Sequence, residues 1–391
     1  MPTFTPESTI SDGVMPHPLA ERDVYDVADQ SNSNSGANLM SRIPDTIRQT
    51  SLLMRRTVVS SLTALALLTL TAHSIWAQAE GGLPEVDGWR VLAPLLAPVS
   101  EQAVVELGGN IYVIGGYPPG RVPVSNVQIY DVASNRWQFG PALPVPMHHA
   151  VAAVANGRVY VLGGEFDGAG TGRAEVYLDT VYALDPDAGI WEQRASMPTG
   201  RSAGGAAVID DKIYVAGGRP PRGSDFAVYD TRSDSWQVLP ELPTQRNHLA
   251  VGALNGQVIV AGGRFGGGFN SERTATLEIF DPATGAWSAG PALPSPRGGV
   301  AGVSANGCLF VIGGEGNYAD PRGLNDETEA FDPRSQTWHS FAPMPTPTHG
   351  LVGAAFVNGQ IHIPGGSVTI GGGTGSVIHQ VYRPRGACSE P

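Results

Sequence analysis

The sequence predicts an all-β protein, a six-bladed β-propeller that occupies residues 85–384. Three observations predict it: a composition rich in Gly and Pro, a Gly-Gly pair that recurs six times, and a Trp that follows five of those pairs. The chain of 391 residues contains 51 Gly and 32 Pro, and only 15% of its residues are charged. This composition favours short strands joined by tight turns over a helical bundle.

The Gly-Gly pairs mark a repeat, because each pair ends a short apolar run and stands seven residues after a turn. The pairs are Gly115-Gly116, Gly163-Gly164, Gly217-Gly218, Gly262-Gly263, Gly313-Gly314 and Gly365-Gly366. The turns are Gly108-Gly109, Asn156-Gly157, Asp210-Asp211, Asn255-Gly256, Asn306-Gly307 and Asn358-Gly359. These residue types tolerate the positive φ of a two-residue hairpin turn, so each copy predicts two antiparallel strands.

A second motif, an Asp with a Trp six residues later, predicts two more strands in each copy. The copies are Asp131 with Trp137, Asp185 with Trp191, Asp230 with Trp236, Asp281 with Trp287, and Asp332 with Trp338. The sixth copy ends at Tyr382 without a Trp, and Trp89 precedes the first copy. We therefore predict that the strand around Trp89 completes the last blade and closes the ring, which removes exposed sheet edges.

The Gly-Gly and Trp pattern resembles the kelch repeat over nearly all of residues 85–384. The resemblance implies a propeller in which the innermost strand comes first in each blade and the Gly-Gly pair lies on the second strand. The similarity extends distantly to the bacterial kelch-type sialic acid mutarotases and to galactose oxidase-like propellers. Kelch proteins share a fold while differing widely in task.

The residues before the repeats predict export. Residues 1–53 are polar and aperiodic, so we interpret them as a disordered extension or as sequence upstream of a true start at Met54. Residues 54–79 have the layout of a signal peptide, with Arg55 and Arg56, an apolar run, and small residues at Ala77 and Ala79. The propeller is then expected in the periplasm or outside the cell, with a C-terminal tail at 385–391.

The charge of the chain disfavours two classes of partner. Its formal net charge is −12, so it lacks the basic field that binding to a nucleic acid backbone requires. An acidic protein also gains nothing from anionic lipid head groups. The apolar run of the signal is short for a membrane span, and no membrane insertion is expected after its removal.

Strand alternation brings polar residues to one end of the predicted ring. Candidate ligand-binding residues there are Arg201, Arg246, Arg297, His149, His248, Glu165, Glu315, Arg219 and Arg264. One set of equivalent positions around the ring is predicted to be Glu101, His149, Ala203, His248, Gly299 and Leu351. Two interpretations of Arg201, Arg246 and Arg297 stay open: a cationic arc that binds a carboxylate or sulfate, or consensus residues that fix the blade connections through backbone carbonyls.

The sequence predicts neither a metal site nor a cofactor. His149, His248 and His349 fall on alternate blades, which predicts rings too far apart to share an ion. The two cysteines, Cys308 and Cys388, are both expected near the opposite end of the ring. Whether they form a disulfide or remain two free thiols stays open, because sequence does not give their separation.

Three functions compete, and no catalytic residue is assigned. The favoured hypothesis is a non-enzymatic scaffold that binds a protein or glycan ligand through its polar loop face. The alternative is a carbohydrate-active enzyme of the sugar-acid mutarotase or epimerase type, with Arg246 or Arg297 on a carboxylate and Glu165 or Glu315 with His248 as acid and base. A galactose oxidase-like oxidoreductase ranks third, because no Tyr and Cys are visibly placed for its crosslink.

Overall fold

The computed structural model describes residues 85–168 and 173–388. The predicted extension (1–53), the predicted signal peptide (54–79) and the last three residues of the tail lie outside this part of the chain. All regular secondary structure within it is β. It contains no helix that is long and apolar enough to cross a membrane.

The strands form seven sheets, of which six are blades that we number 1 to 6 and describe from the innermost strand outward. Blade 1 consists of β2 (Gln102–Leu107), β3 (Asn110–Ile114), β4 (Val127–Asp131) and β5 (Arg136–Phe139). Blade 2 consists of β6 (Val151–Ala155), β7 (Arg158–Leu162), β10 (Val181–Asp185) and β11 (Ile190–Arg194), with an extra hairpin of β8 (Glu165–Gly168) and β9 (Arg173–Tyr177). Blade 3 consists of β12 (Gly205–Ile209), β13 (Lys212–Ala216), β14 (Phe226–Asp230) and β15 (Ser235–Val238).

The other three blades follow the same plan. Blade 4 consists of β16 (Ala250–Leu254), β17 (Gln257–Ala261), β18 (Leu277–Asp281) and β19 (Ala286–Ala289). Blade 5 consists of β20 (Ala301–Ala305), β21 (Cys308–Ile312), β22 (Thr328–Asp332) and β23 (Thr337–Ser340). Blade 6 consists of β25 (Ala355–Val357), β26 (Gln360–Pro364), β27 (His379–Tyr382) and β1 (Trp89–Val91), while β24 (Leu351–Val352) pairs in parallel with β2 of blade 1.

The repeated Trp residues link each blade to the one before it. Every Trp on an outermost strand donates its indole N–H to a carbonyl in the segment that leaves the preceding blade. The bonds are Trp137 to Ala93, Trp191 to Pro141, Trp236 to Ala195, Trp287 to Pro240, Trp338 to Pro291, and Trp89 to Ala342, at 2.8–3.1 Å. The Trp of each repeat thus ties the outermost strand of its blade to the segment that leaves the preceding blade.

The last blade is closed by the strand that begins at Trp89, as predicted. Trp89 pairs with Tyr382 in the antiparallel ladder between β1 and β27. The two rings are 4.8 Å apart between centroids, and Trp89 is buried. The all-β, six-bladed propeller with this closure is therefore confirmed.

One prediction of register in blade 6 is wrong by one residue. His349 pairs with Ser367 just as His148 pairs with Glu165, so its neighbour Gly350, and not Leu351, occupies the equivalent ring position. Blade 6 has an extra residue between β24 and β25, at Gly353, whose φ of +100° a side chain rarely adopts. The prediction assumed the same number of residues between the ring position and the hairpin turn in every blade. In blade 6 this number is one larger, so the predicted ring residue lies one residue too late in the sequence.

The six blades are joined at the axis by a closed circle of backbone hydrogen bonds, which we call the axial ring. Each member donates its N–H to the carbonyl of its equivalent in the preceding blade, at 2.6–3.0 Å. The members are Glu101, His149, Ala203, His248, Gly299 and Gly350, and their φ angles lie between +53° and +70°. A left-handed backbone costs free energy in residues with a side chain, and such strain clusters at functional sites.

The two cysteines form a disulfide. Cys308 begins β21 in blade 5, Cys388 lies in the tail, and their Cα atoms are 5.8 Å apart. Asn306 Nδ2 also donates to the Cys388 carbonyl at 3.1 Å. The tail that follows blade 6 is therefore attached covalently to blade 5.

Two buried histidines lie where blade 6 meets blade 1. His362 Nδ1 is 3.0 Å from His379 Nε2, and the His379 ring packs edge-on against Tyr130 and near Trp137 of blade 1. Burial, with a smaller contribution from Arg90, lowers the pKa of His362 to about 4. Burial and the neighbouring His362 hold the pKa of His379 well below its ordinary value.

We expect acid to destabilise the protein through this histidine pair. The unfolded chain takes up protons below pH about 6.5, whereas the folded pair does not until the pH falls to about 4. The free energy of unfolding therefore falls as the pH is lowered through this window, by about 3 kcal/mol for His362. Urea denaturation at pH 7 and pH 4.5 should show a smaller difference for His362→Gln than for the wild type.

The matched control is His339→Ala, on the half-exposed outermost strand of blade 5. This variant should keep the pH dependence of the wild type. An equal pH dependence in the wild type and in His362→Gln would contradict the prediction. Independently of folding, the His362 ring signals in an NMR titration of the wild type should not shift between pH 7 and pH 5.

Candidate functional site

The guanidinium groups of Arg201, Arg246 and Arg297 bond within their own blades and are not exposed at the opening of the ring. All three are buried, and each donates to the carbonyl of a Val in the second strand of its own blade. These carbonyls are those of Val215, Val260 and Val311, at 3.2, 3.1 and 2.8 Å. Arg246 and Arg297 also pair with Glu278 and Glu329, at 2.7 and 2.5 Å. The structure thus places these arginines in the blade connections, the second of the two interpretations drawn from the sequence.

The other candidate residues meet at the axis. Glu101, His149 and His248 belong to the axial ring, and their ligand-type atoms lie within 4.8 Å of one another. The rings of His149 and His248 are 5.0 Å apart between centroids. The expectation that alternate blades separate these two rings is wrong, because left-handed residues at the ring direct both side chains inward.

Two arginines bridge these histidines to glutamates. Arg264 Nη2 lies 2.9 Å from His248 Nε2, and its Nη1 pairs with Glu315. Arg219 Nη2 lies 3.1 Å from His149 Nε2, and its Nε lies 3.4 Å from Glu165. All four of Arg264, Arg219, Glu315 and Glu165 follow a Gly-Gly pair directly, so the repeat itself delivers them to this end. We call this end of the ring the polar end.

At neutral pH, their lowered pKa values leave His149 and His248 neutral and Glu101 ionised. Burial lowers the pKa of His149 to about 4, although Glu101 opposes this shift. Burial and the Arg264 guanidinium hold the pKa of His248 well below its ordinary value. Burial alone would raise the pKa of Glu101, but His149, with smaller contributions from His349 and Arg264, outweighs it and holds that pKa below its usual range.

A recess of about 200 Å³ opens beside this cluster at the polar end. It is lined by Glu101, Tyr117, Arg121, Arg219, Arg264, Gly267, Gly268, Phe269, Glu315, His349 and Gly371. Of the predicted candidates, Arg219, Arg264 and Glu315 line the recess, whereas His149, His248 and Glu165 do not. His149 and His248 lie in the axial cluster next to it, and Glu165 contacts Arg219 and Ser202.

Exposed aromatic side chains stand on the loops around this recess. Phe265 and Phe269 belong to the Gly-rich loop of blade 4, and Tyr318 belongs to the neighbouring loop of blade 5. Tyr318 is 67% exposed although the Arg273 guanidinium lies over its ring, 5.2 Å from the centroid. These residues and Arg121 have no repeat position, because they lie in loops that differ in length between blades, so the repeat pattern predicts no role for them.

Fold and site together define a six-bladed propeller with a polar recess at one end of its axis. Residues 93–263 and 196–366 each match the KLHDC2/KLHL20/DRC7 Kelch-repeats domain. The chain belongs to the kelch-repeat family. Kelch propellers generally bind protein partners, so the scaffold is consistent with protein binding.

Individual relatives match parts of the chain. It is 33% identical over 308 residues to Kelch-like protein terF of Aspergillus terreus, covering 73% of this chain and 65% of that protein. It is 30% identical over 158 residues to Kelch-like protein 25 of Xenopus tropicalis, covering 40% of this chain and 26% of that protein. The solved structure of YjhT superposes with a TM-score of 0.61 and 17% identity over 74% of this chain and 96% of that one, a likeness of fold alone.

Proposed function

We propose that the protein is an exported scaffold that binds a partner protein at its polar end and receives an acidic group of the partner in the recess. The observation that carries this proposal is the placement of three arginines, Arg121, Arg219 and Arg264, in one small recess beside the exposed Phe269. Arginine and aromatic residues are the types that dominate binding energy in protein interfaces.

The size of the recess favours a side chain or chain terminus over a larger ligand. Pockets for drug-sized molecules usually measure about 300–1,000 Å³, whereas this recess measures about 200 Å³. A carboxylate is the expected group, because guanidinium groups bind it through paired N–H donors. The aromatic residues of the surrounding loops then supply the apolar contact area that a single anchored carboxylate lacks.

Two features support export. The disulfide between Cys308 and Cys388 is of a kind that persists in oxidising compartments. Residues 54–79, which lie outside the described part of the chain, have the layout of a signal peptide.

The test is a selection of random peptides displayed on phage against the full-length protein. The selected peptides should be enriched in Asp or Glu next to apolar residues. Binding of the best synthetic peptide, measured by calorimetry, should weaken about tenfold or more in Arg121→Ala and in Phe269→Ala. Both side chains are exposed, so neither variant should lose its fold.

The matched control is Phe139→Ala, which removes a comparably exposed aromatic side chain from the outer strand β5. This variant should bind the peptide like the wild type. A selection that yields no acidic peptides, or a peptide that binds Arg121→Ala and Phe269→Ala as tightly as the wild type, would refute the proposal.

A second candidate is a mutarotase or epimerase that acts on a sugar acid. One observation favours it: Glu315, His349 and Tyr117 line the same recess as the arginines, so proton donors and acceptors stand beside a carboxylate-binding group. Glucuronate and N-acetylneuraminate would then raise the melting temperature, whereas neutral sugars would not. The protein would also speed the interconversion of their anomers, followed by NMR.

The third candidate, a galactose oxidase-like enzyme, would need a cysteine that can form a crosslink to a tyrosine. Both cysteines of the chain are joined to each other, which disfavours this candidate.

A further inference from the structure

We propose that Glu101, His149 and His248 form a binding site for a divalent transition-metal ion, of which Zn²⁺ is the test case. The site lies on the propeller axis at the level of the axial ring. Two imidazoles and one carboxylate are a ligand set that zinc accepts, with a fourth position left open. Glu101 also lines the recess proposed to receive the partner, but the zinc titration tests the metal site in the absence of any partner.

The three ligand atoms already converge. Glu101 Oε2 is 3.0 Å from His149 Nε2, and all three ligand atoms lie within 4.8 Å of one another. Ligand atoms of a tetrahedral zinc site lie about 3.3 Å apart, as zinc–ligand distances of about 2.0–2.1 Å require. The longest of the three separations must therefore shorten when the metal binds.

The hydrogen bonding of the Glu101 carboxylate is a second observation that indicates a ligand. Glu101 is 4% exposed, yet its Oε2 makes no well-directed hydrogen bond within the described residues. Its contact with His149 Nε2 brings an acceptor close to a nitrogen that also faces the Arg219 guanidinium. A neutral imidazole cannot donate from Nε2 to Glu101 and accept there from Arg219 at once. A cation between Glu101 and His149 removes this mismatch.

Both imidazoles are oriented as metal ligands usually are. His248 Nδ1 lies 2.5 Å from Asn247 Oδ1, an acceptor, so this nitrogen carries the proton and Nε2 presents its lone pair. His149 Nδ1 likewise contacts a neighbouring side chain, the Nδ1 of His148. A hydrogen bond to the second ring nitrogen fixes the tautomer and the ring orientation at most metal-bound histidines.

Glu101 differs from the neighbouring carboxylates in its ion-pair partner. Glu165 and Glu315 contact the guanidiniums of Arg219 and Arg264, whereas Glu101 contacts His149, and Arg121 lines the adjoining recess. Among the described residues, Glu101 is therefore the one of these three carboxylates without an arginine as its direct ion-pair partner. A buried charge of this kind is costly unless a counter-charge is supplied.

The arginines compete with the metal for the histidines. Arg264 donates to His248 Nε2 in the structure, which is the lone pair that the metal needs. On metal binding its guanidinium must turn toward Glu315, with which it is already paired. Shortening this side chain should therefore strengthen metal binding, whereas a purely structural arginine would not have this effect.

The test is calorimetric titration of the full-length protein with Zn²⁺, together with the visible absorption of the Co²⁺ form. We expect one tightly bound ion per chain. Replacement of His149 or His248 with Ala should weaken binding about 100-fold or more, and Asn247→Ala should weaken it about 10- to 100-fold. Arg264→Met should tighten it about tenfold.

The matched control is His339→Ala, which should bind as the wild type does. Circular dichroism and the melting temperature verify that each variant is folded, and the Co²⁺ spectrum of the wild type reports the ligand geometry without any variant. The proposal is overturned if no stoichiometric binding occurs, if binding survives in the double variant of His149 and His248, or if Arg264→Met binds no more tightly than the wild type.

Discussion

Replacement of Arg297 with Ala is expected to lower the free energy of unfolding by about 3–5 kcal/mol, because it leaves a buried carboxylate without its partner. Arg297 is fully buried and pairs with Glu329 at 2.5 Å. Its guanidinium also donates to three backbone carbonyls at 2.8–2.9 Å, those of Gly313, Ser295 and Val311. Chemical denaturation followed by tryptophan fluorescence measures the change.

The control in the same blade is Arg334→Ala. Arg334 pairs with Asp332, but its side chain is 65% exposed, and exposed ion pairs contribute little to stability. A loss of stability as small for Arg297→Ala as for Arg334→Ala would show that the buried pair does not hold the blade connection. Because Arg246 has the same environment, ligand-binding experiments should change Arg121 and not Arg246, whose loss would unfold the site along with any ligand contact.

Replacement of Trp89 with Ala is expected to destabilise the closed ring by about 3–5 kcal/mol, the usual cost of deleting a buried Trp side chain. Trp89 is 2% exposed, packs on Tyr382 and donates its indole N–H to the Ala342 carbonyl. Its loss removes the hydrogen bond from blade 6 to the segment that leaves blade 5, and it weakens the ladder of β1 with β27. Thermal denaturation should show a lower melting temperature.

Phe139→Ala serves here as the comparison, because Phe139 lies on an outermost strand but is 57% exposed. It should melt close to the wild type. If Trp89→Ala melted at the temperature of Phe139→Ala, the strand around Trp89 would not be needed for closure.

The repeat made the fold predictable, because the turn residues, the Gly-Gly pairs and the Trp residues each have one structural task in every blade. Trp89 could be placed in blade 6 for that reason. Blade 6 also shows the limit of this reasoning: the extra residue at Gly353 leaves the hairpin intact, so only the backbone reveals that Gly350 replaces Leu351 in the axial ring.

The candidate site was predictable only in part, because the repeat gives the position of a residue in its blade but not the direction of its side chain. Arg219, Arg264 and Glu315 were found because they follow a Gly-Gly pair directly. The proximity of His149 and His248 was missed, because it depends on left-handed backbone angles that bring side chains of non-adjacent blades to the axis. Phe269 and Tyr318 were missed because loops carry no repeat.

In the axial ring, backbone atoms join the blades, and side chains supply the groups that could bind a ligand. Its six bonds run between backbone atoms, so no side chain takes part in them, although the left-handed backbone restricts which residue types fit. Glu and His stand at three of these positions and Ala203 stands at a fourth. Histidine and asparagine are among the residues that tolerate a left-handed backbone. At ring positions with space for a side chain, residues that tolerate this backbone can therefore replace one another while the backbone bonds between the blades stay in place.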